Sequence, residues 1–400
     1  FEGTPFRFVK GFRPKAAITF TQGGGLSVLG SSTEPMRTFR SAVKPTLVAD
    51  SIASKFSVEI THGAPRYINH WAPANAWVSS VSNPCDVPQD LVDTVYKQLK
   101  QYWLNNLPSG WQSSLQPLSE DVVLAGKDGV KGCYAMNTAT SMGIPLCRPK
   151  REYIVPSDRV VEGITCPRDM PDHLRNSIKK YEQKLAEGKR VYFPFRCNRK
   201  DEPMKLTKEK VRIFTGGNFE YLFLMRKYFL PFSILMQNHP VLFMCAVGVN
   251  AMSEEWTHLG RHVEKHGKER VVAGDFGQYD QKMSVRLMMA SFKLIICLLE
   301  IAGYDQKSLA ICRGLAIETC MAVYNMEGTW LQPNSANPSG HSLTVVINSI
   351  CNVILMWCAF ILMQMRRNQE EQGLLEVKQV PSFVEMVALM TYGDDNIMSV

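Results

Sequence analysis

The sequence predicts an α+β fold in which helices back a small antiparallel sheet. Three stretches point there. Near the end, the apolar runs "VEMVALM" and "NIMSV" flank "TYGDD", whose Gly-Asp centre suits a two-residue hairpin turn with Gly at its first central position. "RVVAGDF" (Arg270–Phe276) is short, β-branched and apolar, as a buried strand should be. "LTVVINSICNVILMWCAFILMQM" (Leu343–Met365) is helical in pattern and apolar nearly all round, with Thr344, Asn348 and Asn352 at i, i+4 and i+8 on one face. It has the length of a bilayer span. Asn348, Ser349, Asn352 and Gln364 speak against a span, because polar groups in lipid are costly. A buried helix whose stripe faces a site is the expectation.

The bulk numbers agree with a soluble globular protein. Its 400 residues are enough for two or three folding units, and apolar and charged contents are 45% and 20%. Net charge is +8, and nine Lys/Arg against three Asp/Glu between Lys189 and Arg212 place most of it in one stretch. An anionic partner would meet that stretch. Eleven cysteines without a Cys-x-x-Cys pair indicate reduced thiols rather than a disulfide framework or a zinc site. The chain opens on Phe1 without a signal-peptide pattern, as a processed product or fragment would.

Taken in order, residues 21–35 are rich in Gly and Ser and read as a flexible or extended connector, since no Gly-Lys-Ser/Thr follows to make a phosphate loop. "PQDLVDTVYKQLKQYWLNNL" (Pro88–Leu107) reads as an amphipathic helix with its Pro in the first turn. The apolar, aromatic stretch up to Val249 is expected to be broken by Pro231 and Pro240. "SEEWTHLGRHVEKHG" reads as a helix capped by Ser253, with Glu254 and Glu255 in its first turn. His258, His262 and His266 share a face with Glu254, but without a His-Glu-x-x-His pattern this is read as a solvated face. A helix from about Lys282 to Ala302, a β-stretch from Cys320 to Pro333, the loop "NSANPSGHS", the striped helix, a charged surface segment (Arg366–Lys378) and the hairpin complete the chain.

Chemistry resides in the carboxylates. "DFGQYD" puts Asp275 near a strand end and Asp280 past a turn, and "GDD" puts Asp394 and Asp395 at a hairpin tip. Either motif alone is weak, because turns favour Gly and Asp. Together, two strands of one sheet bring aspartates to a common edge. Oxygen ligands of this kind suit Mg2+, and two such ions about 4 Å apart clamp the attacking and leaving oxygens of a phosphoryl transfer. The basic stretch would neutralise a triphosphate, and the striped helix would offer Thr and Asn hydrogen bonds. The combination points to nucleotidyl transfer on nucleic acid.

At this point the sequence resembles the RNA-dependent RNA polymerases of picornavirus-like positive-strand RNA viruses. "TSMGIP" (Thr140–Pro145) is similar to the template-entry motif and "KDEPMKLTKEKVRIF" (Lys200–Phe214) to the basic finger motif. "DFGQYD", "NPSGHSLTVVINS" and "YGDDN" resemble the three palm motifs, and all five stand in the family's order from about Pro65 to Val400. The resemblance implies a right-hand architecture: fingers over 65–268, and a palm over 269–400 with a finger insertion at about 303–335. Residues 1–64 would be an N-terminal extension or a fingertip segment. It implies that Asp275, Asp394 and Asp395 are catalytic and hold Mg2+, or Mn2+ in its place. Asp280 and Asn348 would sense the ribose 2′-hydroxyl with Thr344 as helper, and Ser339 and Gly340 would contact the template and shift during translocation. Lys200 and Arg212 would lie over the triphosphate, with Lys205 or Lys208 loosely sharing that role. Thr140, Ser141, Gly143 and Pro145 would guide the template. The family places further motifs and a thumb after the hairpin, so the chain is expected to be truncated and weak in elongation.

The implied partners are an RNA template and primer, NTPs, a genome-linked protein primer and other viral replication proteins. The implied location is the host cytoplasm, at membrane-associated replication complexes. Two rivals remain: a reverse transcriptase, against which Asp280 and the Ser339–Asn348 pattern speak, and a membrane-anchored RNA-binding protein spanning at Leu343–Met365.

Overall fold

The computed structural model describes residues 25–32, 41–65, 72–161, 164–207, 211–372 and 380–400. Lys208 and the remainder of the N-terminal segment, of the 21–35 connector and of the charged segment lie outside them.

Two sheets organise the described chain. The larger has five strands in the order Leu26–Ser31, Thr329–Pro333, Val323–Met326, Pro194–Arg199 and Ile213–Gly217. Its pairs are antiparallel except Pro194–Arg199 with Val323–Met326. The β-stretch read from the sequence is thus a hairpin closed by Glu327 and Gly328. The Gly/Ser-rich connector is not all connector. Leu26–Ser31, within it, is an edge strand, with Leu26 opposite Pro333 and Ser31 opposite Thr329, because the backbone donors and acceptors of Thr329–Pro333 offer it a ladder.

The smaller sheet has three antiparallel strands, Ala388–Tyr392, Asp395–Ser399 and Val271–Gly274, with Asp395–Ser399 in the middle. The hairpin forms as read, but Phe383–Met386 is a helical turn, so its first strand begins only at Ala388. Val271–Gly274 is not buried. It is the sheet's edge, and Val272 is 56% exposed.

Helices pack between and behind the sheets in one continuous core that includes Trp103, Phe229, Phe292, Ile347 and Ile354. Gln89–Asn106 buries Val92, Val95, Leu99 and Trp103 along one face. Phe219–Asn238 runs unbroken through Pro231, contrary to expectation. A proline deprives the carbonyl four residues earlier of its donor. Here that carbonyl, of Lys227, accepts instead from the Leu118 amide at 2.9 Å. Ser253 caps Glu254–Val263, its side chain accepting from the Glu255 amide. The histidine face is only partly solvated. His258 is exposed, but His262 turns inward with Nε2 3.3 Å from the Leu389 carbonyl, because the helix lies against the small sheet. Burial pushes its pKa down.

The striped helix extends from Thr344 to Gln372, taking in the start of the charged segment. It is apolar and long enough to cross a membrane, yet 72% of its most apolar window is buried against the rest of the protein. It is a core helix, and the membrane-anchor reading loses its support. All eleven cysteines are free.

Candidate active site

The hairpin tip is built from the backbone outward. Tyr392 pairs with Asp395, leaving Gly393 and Asp394 as the two turn residues, and Gly393 has φ 64°. Such a turn needs a residue that tolerates positive φ at its first central position, which glycine does without strain. The striped helix holds the turn in place. Ser349 Oγ accepts from the Gly393 amide at 2.9 Å. Asn352 Nδ2 lies 3.1, 3.1 and 3.2 Å from the carbonyl oxygens of Gly393, Asp394 and Asp395. Both side chains are fully buried. With the backbone held from inside, the carboxylates of Asp394 and Asp395 are directed outward, and both are exposed.

Asp275 follows Gly274, which pairs with Asn396 in the central strand. Continuing that register sets Asp275 across from Asp395. The carboxylates feel one another. Asp395 is raised above the usual carboxylate range by desolvation, then by Asp394 and Asp275. Asp280 is raised mainly by burial; Asp394 adds to the rise and Arg212 opposes it. Among the described residues, no Lys or Arg ion pair neutralises any of these four aspartates. Nor do three potential ligands converge on one point among them. Asp275, Asp394 and Asp395, the predicted metal-ligand set, thus share one edge of the small sheet. Like charges gathered at one edge repel. An all-oxygen, mutually repelling set of this kind fits a divalent cation.

Asp280 opens a small cleft lined by Thr215, Trp77, Tyr324, Asn337 and Ser339. The Asn337 amide donates to the Asp280 carbonyl at 2.8 Å. Asn337 Nδ2 donates to Asn348 Oδ1 at 2.8 Å and to the Thr344 carbonyl at 3.2 Å. Tyr279 OH donates to the Asn348 carbonyl at 3.1 Å. Thr344 Oγ1 donates within its own loop, to the carbonyls of Pro338 and His341. Asp280, Thr344 and Asn348 are therefore brought together, with Asn337 between them.

Ser339 and Gly340 meet the end strand of the larger sheet. The Thr215 amide donates to Ser339 Oγ, and the Ser339 amide donates to Thr215 Oγ1, both at 2.9 Å. Gly340 approaches so closely that a Cβ there would sit 1.8 Å from the Thr215 carbonyl oxygen. The same strand reaches the Thr140–Pro145 loop at its other end. The Phe219 amide donates to the Met142 carbonyl at 2.8 Å, and Gly143, at φ 75°, leaves no room for a Cβ beside the Gly217 carbonyl. Thr140, Ser141 and Pro145 are exposed along this loop.

Lys200 and Arg212 flank the loop that leads into that strand. The Lys200 amide donates to the Arg212 carbonyl at 2.8 Å. Lys200 Nζ is 2.8 Å from Glu202, and Arg212 is 3.7 Å from it. Arg212 alone of the two registers electrostatically at Asp280. Lys205 pairs as backbone with His62, away from this cluster.

Sequence reasoning passed over four residues. Lys150, almost fully buried, donates to Thr140 Oγ1 and the Ser141 carbonyl, both at 2.7 Å, and burial pushes it down to about 8. Asn337, His341 and Ser349 support the cleft and the turn. Ser349 and Asn337 had a signal: a polar residue beside the stripe and an amide opening the "NPSG" loop.

The description "Viral RNA-dependent RNA polymerase" matches residues 79–400. The replicase polyprotein of Drosophila C virus (strain EB) is 28% identical over 321 residues, 77% of this chain and 18% of that polyprotein. The RNA1 polyprotein of Cowpea mosaic virus (strain SB) is 27% identical over 335 residues, 82% of this chain and 17% of its own length. The chain thus spans less than a fifth of these relatives. The solved Sicinivirus 3Dpol RNA dependent RNA polymerase superposes with a TM-score of 0.69 at 17% identity, covering 94% of this chain and 72% of that one. That likeness gives the fold, a right hand in the α+β class. With the family match extending over 79–400, the chain belongs to the viral RNA-dependent RNA polymerase family.

Proposed function

We propose that the chain is an RNA-directed RNA polymerase that extends a primer 3′-hydroxyl on an RNA template with NTPs. The observation that carries this reading is the common sheet edge of Asp275, Asp394 and Asp395, beside a cleft where Asp280 and Asn348 meet. Asp275 and Asp394, with Asp395 beside them, would hold Mg2+, or Mn2+ in its place. Bound there, the ions would polarise the α-phosphate and stabilise the attacking and leaving oxygens. The chain's own residues do the rest. Ser349 and Asn352 keep the tip from moving as charge changes there. Asp280 and Asn348 hold the ribose 2′-hydroxyl, which favours NTPs over dNTPs and disfavours the reverse-transcriptase reading. Arg212, with Lys200, screens the triphosphate. Ser339 and Gly340, gripped by Thr215, and the Thr140–Pro145 loop guide the template.

The same reading divides the chain into fingers built on the five-stranded sheet and a palm built on the three-stranded sheet, with about 303–335 a finger insertion within the palm's span. The Leu26–Ser31 strand supports a finger role for part of the N-terminal segment. Synthesis in the host cytoplasm at membrane-associated replication complexes, with other viral replication proteins and a genome-linked protein primer, belongs to this proposal.

The test is labelled-NTP extension of a primed RNA template, run on the chain and on the natural polyprotein product that contains it. Metal-dependent extension that Asp394→Ala abolishes supports the reading. Extension that survives Asp394→Ala, or that prefers dNTPs, overturns it.

A further inference from the structure

We propose that His341 and Asn337 form a hydrogen-bond relay that turns the Asn348 amide so that its NH2 end faces the nucleotide. Asn348 is then the donor, and Asp280 the acceptor, for the ribose 2′-hydroxyl. The inference rests on the nucleotide-site reading above and adds two positioning residues to it.

The polarity of the relay is anchored at both ends by groups with no choice. The Leu343 backbone N–H can only donate, and it donates to His341 Nδ1 at 3.2 Å. His341 therefore carries its proton on Nε2, which lies 2.9 Å from Asn337 Oδ1. The ring is buried and burial pushes its pKa down to about 3, so it remains a neutral, single-tautomer donor at working pH. At the far end, the Thr344 carbonyl can only accept, and it accepts from Asn337 Nδ2 at 3.2 Å. Both constraints give Asn337 the same orientation. Its Nδ2 then donates to Asn348 Oδ1 at 2.8 Å. The Asn348 oxygen is thereby taken, and no described residue accepts from its Nδ2. Asn337 is 2% exposed, so water does not compete for the relay. Through its own backbone amide, Asn337 also ties the relay to Asp280. A hydroxyl between a carboxylate and an amide NH2 is satisfied in both directions. Between a carboxylate and an amide oxygen it is not.

The test separates donor from acceptor at the 2′ position. Binding of an NTP, a 2′-fluoro analogue (acceptor only) and a dNTP to the full chain with Mg2+ is measured by competition. In the parent protein the 2′-fluoro nucleotide is expected to bind about five- to tenfold tighter than the dNTP, as one added hydrogen bond would give. Asn337→Asp offers Asn348 only acceptors and reverses its amide, so that gap should close to within about twofold. His341→Leu removes the donor that orients Asn337 and should shrink the gap, whereas His341→Gln, which can still donate, should retain it. Thermal melting shows which variants are folded. An equal loss for all three nucleotides would mean a structural role and overturn the relay, as would an unchanged gap in Asn337→Asp and His341→Leu. Absence of saturable NTP binding in the parent chain would instead overturn the nucleotide-site reading, and the relay with it.

Discussion

At the scale of the residue, the site's charges work against the fold. Asp280 and Asp395 have folded pKa values raised above their unfolded ones. The folded state therefore binds their protons more tightly, and stability falls as pH rises from the ordinary carboxylate range through the raised values. At neutral pH both groups are a stability cost. Asp395→Asn is expected to raise Tm at pH 7 relative to the parent, with the difference shrinking toward pH 3, as scanning calorimetry would show. Asp394→Asn is expected to reduce primer extension by more than about a thousandfold, on the scale of several kcal/mol lost where charge develops. Mg2+ should raise the parent's Tm and do so less in this variant. Asn352 carries a different burden. Asn352→Ala would leave the carbonyls of Gly393, Asp394 and Asp395 without their buried donor. Denaturant melts are expected to show a loss of about 1–3 kcal/mol, with an activity loss that added metal does not repair.

Among the elements, the Ile213–Gly217 strand is the junction. Thr215 grips Ser339 from one side, and the strand's end receives the Met142–Gly143 backbone. Gly340→Ala would force a Cβ into the Thr215 carbonyl, and backbone at both sides leaves nothing flexible to yield. Extension is expected to fall by more than about a hundredfold, consistent with an ångström-scale displacement of a positioning loop. The helix at Pro231 shows the opposite tolerance. The Leu118 amide already satisfies the Lys227 carbonyl, so Pro231→Ala is expected to change stability by less than about 1 kcal/mol rather than repair a broken helix. A larger gain on melting would mean that the helix is strained there after all.

Across the whole molecule, segments far apart in sequence complete one another. Ile144, Val323 and Trp330 form a small core with Leu29, Cys147 and Tyr192 around it. It joins the N-terminal edge strand, the Thr140–Pro145 loop and the five-stranded sheet. Trp330 Nε1 also donates to Ser32 Oγ at 3.1 Å. Trp330→Ala is expected to cost about 3–5 kcal/mol in a denaturant melt. If the Thr140–Pro145 loop guides the template as proposed, its effect should include weaker RNA-template binding, measured by fluorescence anisotropy, because that loop loses its backing. Unchanged template affinity in a folded variant would show the small core to be independent of the template path.

What the sequence determined by itself was local or ordered. The Gly-Asp turn, the Ser253 cap, the amphipathic helix after Pro88 and the polar stripe of the long helix each follow from neighbours within a few residues, where steric and hydrogen-bond rules are strict. The order of five motifs pointed to the family. The tertiary structure decided everything that depends on a distant partner. A backbone ladder turned a Gly/Ser-rich stretch into a strand, and a distant amide kept a helix straight through Pro231. A small sheet's edge left Val271–Gly274 exposed, and the Thr215 backbone took hold of Ser339 from 124 residues away. Periodicity reports which face of a segment is apolar, but not which group, more than a hundred residues away, will meet the other.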